Sequence, residues 1–360
     1  MRPTLPLRTS TLALCVTVLA LAPTSAATGV RATASGGAEL TTPGTNGNIA
    51  FRRYFDANQT KSAVFTMSPD GTNVRQLTHP PSGTQDDQAD WAPNGKQLVF
   101  TRQPVDASFW VAVVNSDGSG FHRVTPVCRK KPAPNRIPVG CEDASEASFA
   151  PDGRHITYAR ATGRVRNFPK FGWGQIEHAA VAIIGVDGSG RREILRLPRY
   201  AGDVHYPQLS PDGRWIVFER VNSPLAKPRL KRALFVMKAD GTQLHRITPW
   251  NLNGGDNPDW APDGSRILFR SNVEVNDERS QYYTVRPDGT DLTQISHLPS
   301  TGRRLFSASF SPDGRLIVFA KADNQGLGDV WIMNADGTNP HPVLQAKRWD
   351  SAVDWGAAPN

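Results

Sequence analysis

Apolar residues in this chain fall in short runs, each a few residues long and each closed by a turn signal. Runs such as "KQLVF", "RLIVF" and "DVWIM" are too short for helices and rich in β-branched and aromatic residues, so they predict strands. The runs are organised by two recurring signatures. One is an aromatic or apolar residue, a small residue, Pro, Asp or Asn, and Gly, complete five times, at Trp91, Phe149, Leu209, Trp260 and Phe310. The other is a β-rich run into Asp-Gly, seen six times, from "VFTMSPDGT" to "VWIMNADGT". Proline presets φ and glycine accepts the positive φ of a tight turn, so both signatures join antiparallel strands. Each unit reads as four short strands, and a recurrence of about 45–60 residues with four strands per unit is the signature of propeller blades. The first unit opens at "NGNIAFRR" without its innermost strand, and the terminal "SAVDWG" supplies it. The pattern therefore predicts an all-β, six-bladed β-propeller over residues 46–360, with four antiparallel strands per blade. Its ring is closed by the C-terminal strand, which completes the first blade and removes exposed sheet edges.

The "SPDG" turn before an apolar strand, then "DG" and an "LT"-like ending, resembles the WD-like repeat of TolB-type β-propellers. The match runs over about residues 46–356. The resemblance implies a TolB-like propeller without the separate α/β domain that precedes it in TolB.

Residues 1–27 carry Arg2 and Arg8, an apolar stretch and then small residues around Ala26, the layout of a signal peptide. The apolar stretch is shorter than the roughly 20 residues a bilayer requires. Residues 28–45 are small and polar and read as a flexible lead-in. The mature chain is thus expected to be secreted, extracellular or periplasmic, monomeric and without an integral span. Loss of residues 1–27 lowers the formal charge from +8 to +6 (39 basic against 33 acidic residues), a mild excess that names no partner. Cys128 and Cys141 then flank the basic loop "RKKPAPNRIPVG" in an oxidising compartment, and a disulfide is expected. A metal pair would need His residues at ligand spacing, which are missing.

In a propeller the strong repeats are scaffold, and function belongs to what varies between them. Four and three residues before each repeat's aromatic position stand Asp87, Gln88, Glu146, His205, Tyr206, Asp256 and Asn257, with Ser145, Phe306, Ser307, Ser351 and Ala352 completing the set. These should converge at the mouth of the central channel, either as caps of strand ends or as a site for a ligand or divalent cation. No other cofactor is expected. Two residues past the aromatic of each second strand stand Arg53, Arg102, Arg160, Arg220, Ser271 and Lys321. They read as cross-strand charge pairs, with Asp87 opposite Arg102 within one residue, or as a cationic collar. The loops "RATGRVRNFPKFGWGQIEHA" and "RVNSPLAKPRLKRA" add Arg166, Trp173 and further cations, and Trp250 and Trp349 lie in entry loops of the same face. Such residues cover the ends of a core or form an interface. The small charge excess and the absence of interleaved basic and aromatic strands speak against nucleic acid.

Catalytic motifs are absent: there is no G-x-S-x-G elbow and no H-E-x-x-H. The reading is a non-catalytic binding or protein-interaction module for a protein or cell-envelope glycan. The alternative is a metal-dependent lyase or hydrolase of an acidic polysaccharide, with His205, Asp256 and Asp87 at the metal and Arg102 or Arg220 neutralising a uronate.

Overall fold

A computed structural model describes residues 44–359 apart from positions 57, 105–106, 127, 129–135, 169–172, 224–225, 227–230, 272–279, 298–304, 323–326 and 346–347, and apart from the side chains of 167, 168, 173 and 174. The expected signal peptide over residues 1–27, nearly all of the expected lead-in and the side chain of Trp173 lie outside the described residues. Residues 39–360 form one compact unit. Among the described residues there is no α-helix, and no helix is long and apolar enough to cross a membrane.

The strands pair in antiparallel groups of four. The second group is Thr84–Trp91, Gln97–Pro104, Trp110–Asn115 and His122–Arg123; the third is Asp143–Phe149, His155–Phe168, Trp173–Gly185 and Arg192–Arg196. Groups four, five and six begin at Gly202–Leu209, Gly254–Trp260 and Leu305–Phe310 and follow the same order. The first group is Asn46–Tyr54, Ser62–Met67 and Arg75–Gln76, with Asp350–Ala357 as its fourth strand. A parallel bridge from Ser62 to Gln85 links groups one and two into an eight-stranded sheet.

Middle strands are apolar on both faces because both faces are covered. Leu98, Val99 and Phe100 are consecutive and fully buried. Leu98 and Phe100 pack with Ala50 and Val64 of group one, whereas Val99 packs with Ile156 and Tyr158 of group three. The same division recurs between groups three and four, four and five, and five and six. Group six in turn packs on group one, through Val318 and Val330 against Ile49, Phe51 and Trp355. Each such side chain contributes about 1.5–3 kcal/mol by leaving water.

The terminal strand is held by side chains as well as by its ladder. Trp355 faces Ile49 and donates from its indole to the Gly47 carbonyl at 3.1 Å. Arg53 gives Asp350 two bonds, of 2.8 and 2.6 Å. The Asp-Gly turns share one chemistry. Asp70, Asp117, Asp187, Asp240, Asp288 and Asp336 each accept from the amide and the hydroxyl of the Ser or Thr two residues on. Gly337 there has φ +86°, and a Cβ on it would lie 1.7 Å from the Ile295 carbonyl of the neighbouring group, so the position admits only glycine. Cys128 and Cys141 are joined in a disulfide.

Candidate functional site

The first strand of each group is interrupted at one equivalent place. Pairing with the second strand skips between Asp87 and Asp90, Ser145 and Ser148, His205 and Gln208, Asp256 and Asp259, and Leu305 and Ala308. Within these bulges Gln88, Glu146, Tyr206 and Asn257 have φ of 53°, 55°, 51° and 49°, and Ala352 of the terminal strand has 51°. This left-handed conformation is unfavourable for residues with a Cβ and persists only where the surroundings impose it. Recurrence at Ala352, which offers no polar group, makes the bulge part of the scaffold; what each copy presents is left to the side chain.

Six strands meet on one cavity of about 80 Å³, lined by residues 88–90, 146–148, 206–208, 257–259, 307–309 and 352–354. A second cavity, of about 520 Å³ and bordered by Pro93, Pro151, Pro211, Pro262 and Pro312, shares Asp90, Ser148, Gln208, Asp259, Ser309 and Asp354 with the first. Those six residues therefore stand between the two.

At the mouth, His205 Nδ1 lies 3.0 and 3.1 Å from the two oxygens of Glu146, which also accepts the Tyr206 amide. The Tyr206 hydroxyl is 3.4 Å from Gln88 Nε2. Burial opposes charge on His205, but Glu146, Asp203 and Glu219 outweigh it and raise its pKa to about 10, so it is an imidazolium at neutral pH. Burial, with Glu146, Glu219 and Asp87, pushes the Tyr206 hydroxyl up, keeping it a neutral donor. Asp87 is ion-paired to Arg52, which also donates to Ser351 Oγ, and Asp256 to Arg270. These three positions, the proposed holders of a divalent cation, are each engaged: His205 Nδ1 faces Glu146, and both aspartates face a guanidinium. Among the described residues no group of three or more His, Cys, Asp or Glu is arranged to hold a metal. The donor set does not fit a cation.

Several of the basic positions on the second strands face carboxylates of neighbouring strands. Arg102 makes two bonds, of 2.6 and 2.7 Å, to Asp86, and both are buried. The residue opposite Arg102 is Asp86, not Asp87, because the bulge shifts the register by one and turns Asp87 toward Arg52 of group one. Arg160 bridges Glu142 and Glu193. Lys321 faces Asp329 across the ladder and lies 4.1 Å from the Trp331 ring centre. Arg220 lies over Phe235, 5.4 Å from its ring centre, and burial lowers its pKa.

The loop-face aromatics pack inward. Trp250 starts a short 3-10 turn and tilts against Phe235, and Trp349 meets Phe306 edge to face at 5.0 Å. Both remain half-buried. Arg166 is exposed on the long strand His155–Phe168.

Residues the sequence reading passed over are Asp90, Asp259 and Asp354, each directly before a repeat aromatic. They bind amides of the next group: Phe149 to Asp90 at 2.7 Å, Phe310 to Asp259 at 2.7 Å and Trp91 to Asp354 at 2.8 Å. Gln208 accepts the Trp260 amide in the same way. Burial raises all three aspartates; Asp354 and Asp259 add to the rise of Asp90, and Asp354 adds to that of Asp259, which reaches about 7.

No family model matches the chain. Dipeptidyl-peptidase 5 of Porphyromonas endodontalis is 27% identical over 156 residues, 41% of this chain, and the alignment spans only 20% of that enzyme's length. TolB from Acinetobacter baumannii superposes with a TM-score of 0.64 at 14% identity, covering 87% of this chain and 67% of TolB. An oligogalacturonate lyase solved in complex with manganese gives a TM-score of 0.53 at 15% identity, covering 83% of this chain and 79% of the lyase. At such identities the structural likeness establishes the fold alone, and the fold is the all-β architecture of TolB-like propeller proteins.

Proposed function

We propose that this chain is a secreted, non-catalytic binding module: a six-bladed propeller, closed by its C-terminal strand, that holds a protein or cell-envelope glycan on its loop face. The observation that carries the reading is the mouth itself. Gln88, Glu146, Tyr206 and Asn257, each held in an unfavourable backbone conformation, border one cavity, while the groups that would do metal or acid–base chemistry are held in ion pairs. Packing of group six on group one, and amide bonds passed from strand to strand around the cavity, support the closed ring. The disulfide and the leader-like residues 1–27 support an extracytoplasmic location.

The test is capture of a partner from cell-envelope fractions by the full chain and two variants. Tyr206→Ala at the mouth should lose the partner, and Asp152→Ala, exposed in the Pro-Asp-Gly turn that follows Phe149, should keep it. Equal retention by both variants would contradict a binding site at the mouth.

The likeness to an oligogalacturonate lyase keeps a second reading, cleavage of an acidic polysaccharide, within the same fold. Against it stand the paired state of His205, Asp87 and Asp256 and the burial of the Arg102–Asp86 pair.

A further inference from the structure

One loop of the first group carries a signal for which the binding reading has no use. Between the strands Asn46–Tyr54 and Ser62–Met67 the chain reads "FDANQTK". Within it Asn58-Gln59-Thr60 is Asn-x-Thr with a middle residue other than Pro, the acceptor signal for N-linked glycosylation. The whole sequence contains this signal once. Asp56 stands two residues before Asn58, where the stricter form of the signal requires an acid.

The loop presents the tripeptide to solvent. Asn58, Gln59 and Thr60 are all exposed, whereas the base of the loop is pinned. Asp56 accepts from the amides of Thr60 and Lys61 and from the Thr60 hydroxyl, each at 3.1 Å, and Arg348 donates to the Phe55 carbonyl at 2.6 Å. The Gln59 amide closes a turn onto the Asp56 carbonyl at 3.2 Å, and Gln59 has φ 55°, so the chain bends sharply just after Asn58. Gln85, near the start of the strand that carries Asp87 and Gln88, donates to the Gln59 carbonyl at 2.9 Å and holds the loop beside that strand. None of these bonds involves the Asn58 carboxamide. Exposed hydrogen bonds of this kind open locally at little cost, so the tripeptide can unbend, and free the Thr60 hydroxyl, to enter an enzyme.

We infer that Asn58 is the acceptor of an N-linked oligosaccharide. The donor class is an oligosaccharide carried on a polyprenyl diphosphate, and the enzyme class is an oligosaccharyltransferase. Asn58 Nδ2 bonds to the anomeric carbon, and the bond from that carbon to the diphosphate oxygen breaks, its electron pair leaving with the diphosphate. One amide proton passes to a base of the enzyme, and nothing is oxidised or reduced. The inference rests on the extracytoplasmic location proposed above, since transfer of this class takes place outside the cytoplasm.

The full chain is recovered separately from the medium, the cell envelope and the cytoplasm of its own cells and digested with trypsin. Cleavage after Arg53 and Lys61 isolates Tyr54–Lys61 as one peptide. In the exported chain this peptide should carry a sugar mass that electron-transfer fragmentation locates on Asn58. Thr60→Val keeps the residue's size without its hydroxyl and should lose the sugar; Thr60→Ser should keep it. Both variants should retain the wild-type thermal unfolding midpoint. An unmodified peptide in exported chain, sugar on Thr60 instead of Asn58, or sugar retained in Thr60→Val would each overturn the assignment and leave the binding-module reading standing. Recovery of the chain from the cytoplasm alone, unmodified, overturns both the assignment and the extracytoplasmic location.

Discussion

Two regions of this molecule, built on the same repeat, present different side-chain chemistry. The cavity where the first strands meet is lined by four carboxylates, Asp90, Glu146, Asp259 and Asp354, and by no Lys, Arg or His. In the third group Glu177 pairs with Arg199 and accepts the Arg164 amide, and Arg136, Arg164 and Arg166 are exposed nearby in the fold. The repeat dictates backbone and turns in both places, so the contrast comes from positions the fold leaves open. At the cavity, carboxylates serve as acceptors for amides of the next group, and burial raises their pKa values; on the third group, arginines stay in water, where charge is inexpensive.

The contrast can be broken in several ways. Deleting residues 351–360 takes Asp354 and Trp355 from the cavity side and leaves the third group's own strands intact. Loss of the buried Trp355 alone should cost about 3–5 kcal/mol, and two sheet edges open as well. Cooperative unfolding with an unchanged midpoint in denaturant would contradict closure by the terminal strand. Asp86→Ala leaves Arg102 buried without its partner and should cost about 3 kcal/mol, measured by the same titration, whereas Arg164→Ser, exposed on the strand His155–Phe168, should change stability little.

Smaller effects appear in pH profiles of thermal unfolding. A raised folded-state pKa gives stability that is complete below the unfolded value and is lost as pH rises through the folded value. For His205 the window runs from its ordinary 6.5 to about 10. Wild type should therefore lose stability relative to His205→Gln as pH rises from neutral to alkaline. For Asp259 the window runs from 3.8 to about 7, so wild type should fall relative to Asp259→Asn on the acid side of neutrality. Parallel profiles for wild type and either variant would remove the corresponding interaction from the account.

Much of this architecture could be read from the sequence for identifiable reasons. "DGT" and "DGS" combine a positive-φ glycine with a side-chain acceptor and a hydroxyl two residues on, and all six turns use all three. "SAVDWG" was legible as a missing strand because Trp355 falls where four other copies have an aromatic residue and a fifth has Leu209. The bulge was not legible, since Gln88, Glu146, Tyr206 and Ala352 are not residue types that announce positive φ. That bulge is why the partner of Arg102 was misplaced by one residue. The aspartates of "DW" were visible three times, but their role depends on an amide in the next strand group, which no local pattern contains. The inward packing of Trp250 and Trp349 likewise depends on Phe235 and Phe306, distant in sequence.

The central claim is that this propeller binds without cleaving. It is tested most directly by incubating the full chain with polygalacturonate and manganese and following both the length of the polymer and the ultraviolet absorbance of unsaturated sugar ends. The account predicts retention of the polymer at full length with no rise in absorbance. Shortening of the polymer with unsaturated ends, abolished by His205→Gln in a folded variant, would contradict it.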